Sequence, residues 1–497
     1  MKKITFLFAF LIISNFGLSA QELEIPVDTT VTTSHSVKIQ GENIDYTATT
    51  GMQPVWNEDG EVIASLFYTY YKRNGTKENK NRPLLISFNG GPGSASVWMH
   101  IAYTGPRMLN IDDEGYPVQP YGIRENPFSV LDVADIVYVN PVNTGYSRII
   151  EPEDEKEKRD KKQFFGVNAD IEYLGKWINT FVSRYDRWLS PKYLIGESYG
   201  TTRVSGLALE LQNSQWMYLN GVILVSPTEL GLERDGPVEI ANRLPYFAAA
   251  AWYHKALPAE LQDKELEELL PEVENYAINE LLPALVKGGF LKPEEKEEIA
   301  SKMAFYSGIP EKVILQHNLE VPFGFFWKEL LREEGKTIGR LDSRYLGIDR
   351  KIAGDYPDYN AELTSWLHSF TPAINYYLSE ELNFETDLTY FMFGPVHPWD
   401  RTRNNTGENL RQAMAQNPNL EVLIQSGYFD GATTYFNAKY TMWQMDLSGQ
   451  LQDRLHFKGY LSGHMMYLRK EDLQKANQDI RDFIKNTLPK DGEAVKY

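Results

Sequence analysis

The chain has 497 residues, with 68 acidic against 50 basic side chains, a formal net charge of −18 and no cysteine. So large an acid excess argues against nucleic acid or an anionic lipid surface as a partner, and the missing cysteine excludes disulfides and a lipidated cysteine. With 30 Tyr, 24 Phe and 10 Trp the chain can fill a large core and line an aromatic cleft; its length suits one large catalytic domain with an insertion, or two or three smaller domains.

Lys2 and Lys3, an apolar stretch over 4–16 and small residues ending at Ala20 read as a cleavable secretory signal over 1–20. The stretch is too short for a stable membrane span, and no later segment approaches that length. Loss of its two lysines takes the net charge from −18 to −20. Export without disulfides suits a bacterial envelope, so a periplasmic or secreted protein is expected.

From 39 to 71 apolar residues alternate in short stretches (Val62, Ala64, Leu66, Tyr68, Tyr70), which predicts antiparallel edge strands. Brief unbroken apolar runs follow at 84–88, 136–139, 193–195, 222–225 and 422–424. Such runs suit strands buried on both faces of a parallel sheet covered by helices. A charged segment over 151–162 reads as a solvated loop. After it Ile171, Leu174, Trp177, Ile178, Phe181, Val182 and Tyr185 share one helical face. Past the third run, Val204, Leu207, Ala208 and Leu211 mark another helix, with Thr201 or Thr202 as its cap. Between 229 and 409 the pattern turns helical, with Trp252, Tyr253, Trp366, Tyr376 and Tyr377 set among acidic runs such as 265–274. A last helix carries Leu473, Ala476, Ile480, Phe483 and Ile484. Alternating strands and helices predict an α/β fold. The expected division is a signal over 1–20, a core over 21–228 and 410–497, and a helical cap over 229–409 inserted before the strand that ends at Ile424.

Chemistry enters with Gly196-Glu197-Ser198-Tyr199-Gly200, between an apolar strand and a helix. A serine on so tight a turn has its hydroxyl pushed out of the fold, and the glycines avoid collisions with neighbouring backbone. A hydroxyl becomes a nucleophile when a base takes its proton, and the base needs an acid to hold its tautomer. In the α/β-hydrolase order the acid follows the serine and the histidine comes last. Asp430 stands in a glycine-flanked loop after the 422–424 strand, where catalytic acids of open parallel sheets belong. His464 stands in Ser462-Gly463-His464-Met465-Met466-Tyr467, just before the last helix. His456 falls in a strand pattern, and His35, His100, His254, His317, His368 and His397 lie outside this order. Asn89-Gly90-Gly91-Pro92-Gly93-Ser94 directly follows the strand 84–88. Its Gly91 amide, with that of Tyr199, makes the expected oxyanion hole. No metal-binding spacing occurs, and neither metal nor cofactor is expected.

Taken together, Asn89 to Gly93, the serine pentapeptide, the Gly-Tyr-Phe-Asp loop ending at Asp430 and Gly463-His464-Met465 resemble the serine carboxypeptidases, peptidase family S10. Asn126-Pro127-Phe128-Ser129 and Asn140-Pro141-Val142-Asn143-Thr144-Gly145-Tyr146-Ser147 are similar to that family's intervening segments. The resemblance runs from about Gly51 to the C-terminus and is weakest in the insertion. It implies an α/β-hydrolase fold with a mostly parallel sheet and helical cap, and removal of single residues from peptide C-termini. It makes Ser198 the nucleophile, His464 the base and Asp430 its orienter, with Gly91 and Tyr199 as oxyanion donors. Asn89 and Glu197 would bind the terminal carboxylate of a peptide substrate, Glu197 in its protonated form because two like charges that close cannot both ionise. The chain departs from the family at Ser87, where Trp is usual, and at Tyr103, where a second glutamate of the carboxylate site is usual. Ser94 and the Gly200-Thr201 pair are further departures. An esterase or acyltransferase with the same triad, and a noncatalytic binding protein on this fold, remain as alternatives.

Overall fold

A computed structural model describes residues 24–76, 81–152, 158–490, 492–494 and 496. The expected signal over 1–20 lies outside them. The main sheet runs through β1 (Thr29–Ile39), β2 (Glu42–Trp56), β3 (Val62–Arg73), β4 (Leu84–Phe88), β5 (Asp135–Val139), β6 (Lys192–Glu197), β7 (Gly221–Val225), β8 (Glu421–Gly427) and β9 (Leu455–Tyr460). Their spatial order is β1-β2-β3-β5-β4-β6-β7-β8-β9. Pairing is antiparallel from β1 to β5 and parallel from β5 through β9. This is the α/β-hydrolase architecture. All five unbroken apolar runs lie in parallel strands, and β4, β5 and β6 are buried at every position.

β3 corrects the reading of 62–71 as an edge. Tyr68 and Tyr70 pack edge-on against Phe181, while Phe67 and Tyr71 enter the core on the opposite face. The alternation therefore separates two buried cores rather than core from water, and the edge is β1, whose first half is exposed or half-buried.

Helix α1 (Val167–Arg184) buries Ile171, Leu174, Trp177, Ile178, Phe181 and Val182 as the 3.6-residue period requires; Tyr185 falls just past its end. Helix α2 (Tyr199–Asn213) buries Val204, Leu207, Ala208 and Leu211. Neither Thr201 nor Thr202 caps it. Ser198 already occupies the cap position, so both threonines lie inside the first turn, and the Thr201 hydroxyl donates back to the Ser198 carbonyl at 2.6 Å.

Between β7 and β8 the chain is largely helical, but it does not pack as one unit. Helix α3 (Pro237–Tyr253) and the helices after it build a separate core from Leu244, Phe247, Leu269, Val273, Met303 and Phe326. Helix α4 (Ala361–Tyr376) instead puts Trp366, Phe370 and Ile374 into the core of the main sheet. A boundary at 410 falls inside helix α5 (Thr406–Gln416), which packs against α2 beside the sheet. Between the short paired strands Thr337–Ile338 and Leu346–Gly347, the chain crosses the C-terminal ends of β8 and β9 as a strap. There Gly431 N–H donates to the Arg340 carbonyl (3.0 Å), Ser343 N–H to that of Phe429 (3.0 Å) and His464 N–H to that of Leu341 (2.7 Å).

Candidate active site

Ser198 sits where β6 turns into α2, with φ 57° and ψ −126°. A non-glycine residue in that region is strained, and the turn survives because its surroundings leave no alternative. Ser198 N–H donates to the Val225 carbonyl of β7 at 2.9 Å. The glycines have direct steric reasons. A Cβ on Gly196 would lie 2.2 Å from the Gly200 carbonyl oxygen, and one on Gly200 would lie 2.6 Å from that of Phe88 in β4. Gly90 is closed in the same way, its Cβ position lying 2.5 Å from the Tyr199 amide nitrogen and 2.7 Å from the Glu197 carbonyl oxygen. The glycine loop and the serine turn are thus packed backbone to backbone.

Asp430 and His464, both buried, meet at 2.7 Å between Oδ2 and Nδ1. The other oxygen of Asp430 accepts from the amides of Ala432 (2.8 Å) and Thr433 (3.1 Å), which fixes the carboxylate plane. The Thr433 hydroxyl lies 2.7 Å from Asp430 Oδ2 and 3.2 Å from His464 Nδ1. The His464 carbonyl accepts from the Ser226 hydroxyl at 2.8 Å. With Nδ1 engaged, Nε2 is the ring nitrogen left for a substrate or for Ser198. Burial works against a charged His464 ring, but the adjacent Asp430, and then Glu197, outweigh it and hold the pKa above its ordinary value.

Ser198, Glu197, Gly90, Gly91 and His464 line one cavity of about 220 Å³. Among the described residues, Ser198 Oγ makes no hydrogen bond to His464; such contacts often tighten only around substrate. Neither the Gly91 nor the Tyr199 amide donates to another described backbone group. Gly91 has φ 105°, a conformation that favours glycine. The loop is held from behind by Arg203 of α2, which donates to the Asn89 carbonyl at 2.7 Å and pairs with Asp170 at 2.6 Å, both side chains fully buried. From the side, Gly394 N–H donates to the Gly93 carbonyl at 2.7 Å. A larger groove of about 910 Å³, lined by Lys38, Arg124, Phe128 and Lys475, holds none of these groups.

Glu197 opens onto the cavity while almost wholly buried, and burial pushes its pKa up to about 7 against the opposing pull of His464, Tyr467 and Asn89. Asn89 is not on the cavity wall. Its side-chain Nδ2 donates to Glu197 Oε2 and its Oδ1 accepts from Met99 N–H at 3.2 Å. It is in direct contact with Glu197, the other residue expected to bind a carboxylate. The Tyr467 hydroxyl donates to Glu197 Oε1 at 2.8 Å.

Comparison with known proteins finds a family likeness in the N-terminal part of the chain. The serine carboxypeptidase family matches residues 42–268, the part that carries the glycine loop and Ser198. The Dictyostelium discoideum protein "Serine carboxypeptidase S10 family member 1" is 27% identical over 156 residues, 31% of this chain and 33% of the relative. The Arabidopsis thaliana protein "Serine carboxypeptidase-like 16" is 29% identical over 202 residues, 39% of this chain and 43% of the relative. Over this part the chain is similar to the serine carboxypeptidases. The match spans less than half the length of either protein. A crystal structure of a prohormone-processing carboxypeptidase from Saccharomyces cerevisiae shares the fold, with a TM-score of 0.51 at 15% identity over 90% of this chain and 94% of that one.

Two of the departures from the family pattern, Ser87 and Tyr103, are buried. Ser87 is fully buried in β4, its hydroxyl without a partner among the described residues. Tyr103 is also fully buried. It stacks on Tyr467 with ring centroids 4.6 Å apart and donates to Gln425 Oε1 at 2.6 Å. Tyr103 therefore braces Tyr467, which in turn donates to Glu197. Sequence reasoning passed over Tyr467 and Thr433, although each lies three residues beyond a residue it singled out. The apolar wall of Trp98, Leu341, Leu363, Trp366, Phe393 and Met465 gave no local signal.

Proposed function

We propose that the chain is an exported serine carboxypeptidase whose N-terminal 20 residues are a signal and whose helical insertion caps the site. Ser198 Oγ attacks the carbonyl of the last peptide bond as His464 Nε2 takes its proton. Asp430 and Thr433 hold the ring, and the imidazolium then protonates the departing amine. The Gly91 and Tyr199 amides receive the oxyanion, and water releases the acyl group from Ser198 by the reverse steps. Glu197, kept protonated, donates to the terminal carboxylate of the substrate, oriented from behind by Asn89 and Tyr467. The observation that carries this reading is a buried carboxyl on the wall of the cavity that also holds Ser198 and His464. An endopeptidase or simple esterase has no use for a protonated acid there, whereas a free carboxylate needs such a donor.

The test compares N-blocked dipeptides, their C-terminal amides and a short-chain ester, each with the wild-type protein and Ser198→Ala. Wild-type cleavage of the free-carboxyl peptides in preference to the amides, lost in the variant, is the expected result. Cleavage of the ester alone would replace the reading with an esterase or acyltransferase. Failure of a fluorophosphonate to label wild type would remove the nucleophile.

A further inference from the structure

The apolar cavity around Ser198 and His464 also carries Arg340, on the strap from the insertion. The backbone of the strap is tied to the loops bearing Asp430 and His464 through Gly431, Phe429 and His464 itself. Arg340 is therefore held at a defined place relative to the acid–base pair. Its side chain is exposed and, among the described residues, has no ion pair, hydrogen bond or aromatic ring under it.

That isolation sets Arg340 apart from the chain's buried arginines. The buried arginines are matched to acids: Arg203 to Asp170, Arg187 to Asp135, Arg344 to Asp342. In a chain with 68 acidic against 50 basic side chains, an arginine without a partner beside the reacting atoms is not explained by shortage of acids. The acids nearest along the strap are already engaged. Asp342 accepts from Arg344 at 2.7 Å, and Asp430 accepts from His464. Glu362 faces the strap, with Oε1 accepting from Leu341 N–H at 2.9 Å; burial pushes its pKa up to about 7, so at acidic pH it does not neutralise Arg340. Trp98, Trp366, Leu363 and Phe393 line the same cavity as Arg340. A guanidinium presents a planar fork that fits a carboxylate through two parallel hydrogen bonds.

We infer that Arg340 pairs with an acidic side chain of the substrate, on one of the two residues flanking the bond attacked by Ser198, so that peptides bearing Asp or Glu there are preferred. The inference rests on the proposed function, in which Glu197 already takes the terminal carboxylate and leaves Arg340 for a second anionic group.

Binding and turnover separate the two claims. Blocked Leu-Glu, Leu-Gln, Glu-Leu, Gln-Leu and Leu-Leu are titrated into Ser198→Ala by calorimetry, with and without Arg340→Gln, and turned over by Ser198-intact protein. The glutamate peptide of one pair should bind roughly tenfold tighter than its glutamine partner, a ratio that falls to about one in Arg340→Gln. Arg340→Glu should invert the preference toward a lysine peptide. Having an exposed side chain without partners, these variants should fold as wild type. Equal binding of glutamate and glutamine peptides at both positions would overturn the inference. So would a loss in Arg340→Gln that is uniform across all five peptides, which would put Arg340 on the terminal carboxylate. Turnover of none of them by wild type would overturn the proposed function, while the glutamate-to-glutamine binding ratio still decides the role of Arg340.

Discussion

At the scale of single residues, Glu197 and His464 are coupled. The charge of Glu197 raises His464, and the charge of His464 lowers Glu197, so the titration of each depends on the other's charge. In the proposed mechanism only one arrangement is productive, with Glu197 protonated to bind the substrate carboxylate and His464 neutral to act as base. As pH rises through about 7, Glu197 ionises and repels that carboxylate, so KM climbs. As pH falls, His464 takes a proton and kcat drops; with Glu197 neutral, one of the influences raising His464 is gone and the ring stays neutral further into acid. The expected profile for a free-carboxyl peptide has an acid limb in kcat from His464 and an alkaline limb above about pH 7 from Glu197, the latter carried by KM at about tenfold per pH unit. An ester substrate without a carboxylate should lack that limb, and Glu197→Gln should remove it for peptides too. An alkaline limb unchanged in Glu197→Gln would assign it to another group.

At the scale of elements, the site depends on two backbones meeting, the loop after β4 and the turn after β6. Gly90→Ala tests that contact. Its new Cβ would meet the Tyr199 amide nitrogen and the Glu197 carbonyl, both main-chain atoms that cannot rotate aside. The loop and the turn must separate, and the oxyanion donors move with them. Turnover should fall on the order of 10²- to 10³-fold, the range for loss of an oxyanion donor, with the circular dichroism spectrum retained. Turnover within threefold of wild type would mean that the two segments do not act together. Much of this was legible in the sequence, because an elbow and a glycine loop each declare themselves within five residues and the acid and histidine follow in a set order. The strand β3 was misread because Tyr68 and Phe67 face two different cores, a distinction that alternation alone cannot make. The expected threonine cap failed because Ser198 itself stands at the helix start. Arg340 reaches the site through a strap whose anchors, Phe429, Gly431 and His464, are remote in sequence, and such pairing leaves no periodic trace.

At the scale of the whole molecule, stability and acidity should be linked through buried carboxyls. Glu362 of α4 ties the strap to the main core by accepting from Leu341 N–H, while its other oxygen, Oε2, is buried without a partner among the described residues. Burial is the first cause lifting both Glu362 and Glu197 from 4.5 to about 7. The sign follows from linkage. A carboxyl whose pKa is higher folded than unfolded binds more protons in the folded state between those values. Its contribution is whole below about 4.5 and is lost as pH rises through about 7. For one such group the loss is on the order of 3 kcal/mol, at 1.36 kcal/mol per pKa unit. At roughly 2 cal/mol/K of unfolding entropy per residue, that corresponds to roughly 3 °C in a chain this long. Repulsion among the excess surface acids pushes in the same direction, so the wild-type fall alone does not isolate Glu362. The comparison with Glu362→Gln does, because glutamine keeps the shape and the acceptor for Leu341 N–H but cannot ionise. Thermal midpoints measured from pH 5.5 to 8.5 should fall for both proteins, less steeply for the variant, with the curves separating by about 3 °C at the alkaline end. Parallel curves would mean that Glu362 reaches the same protonation state folded and unfolded, and the strap would then owe nothing to a protonated Glu362.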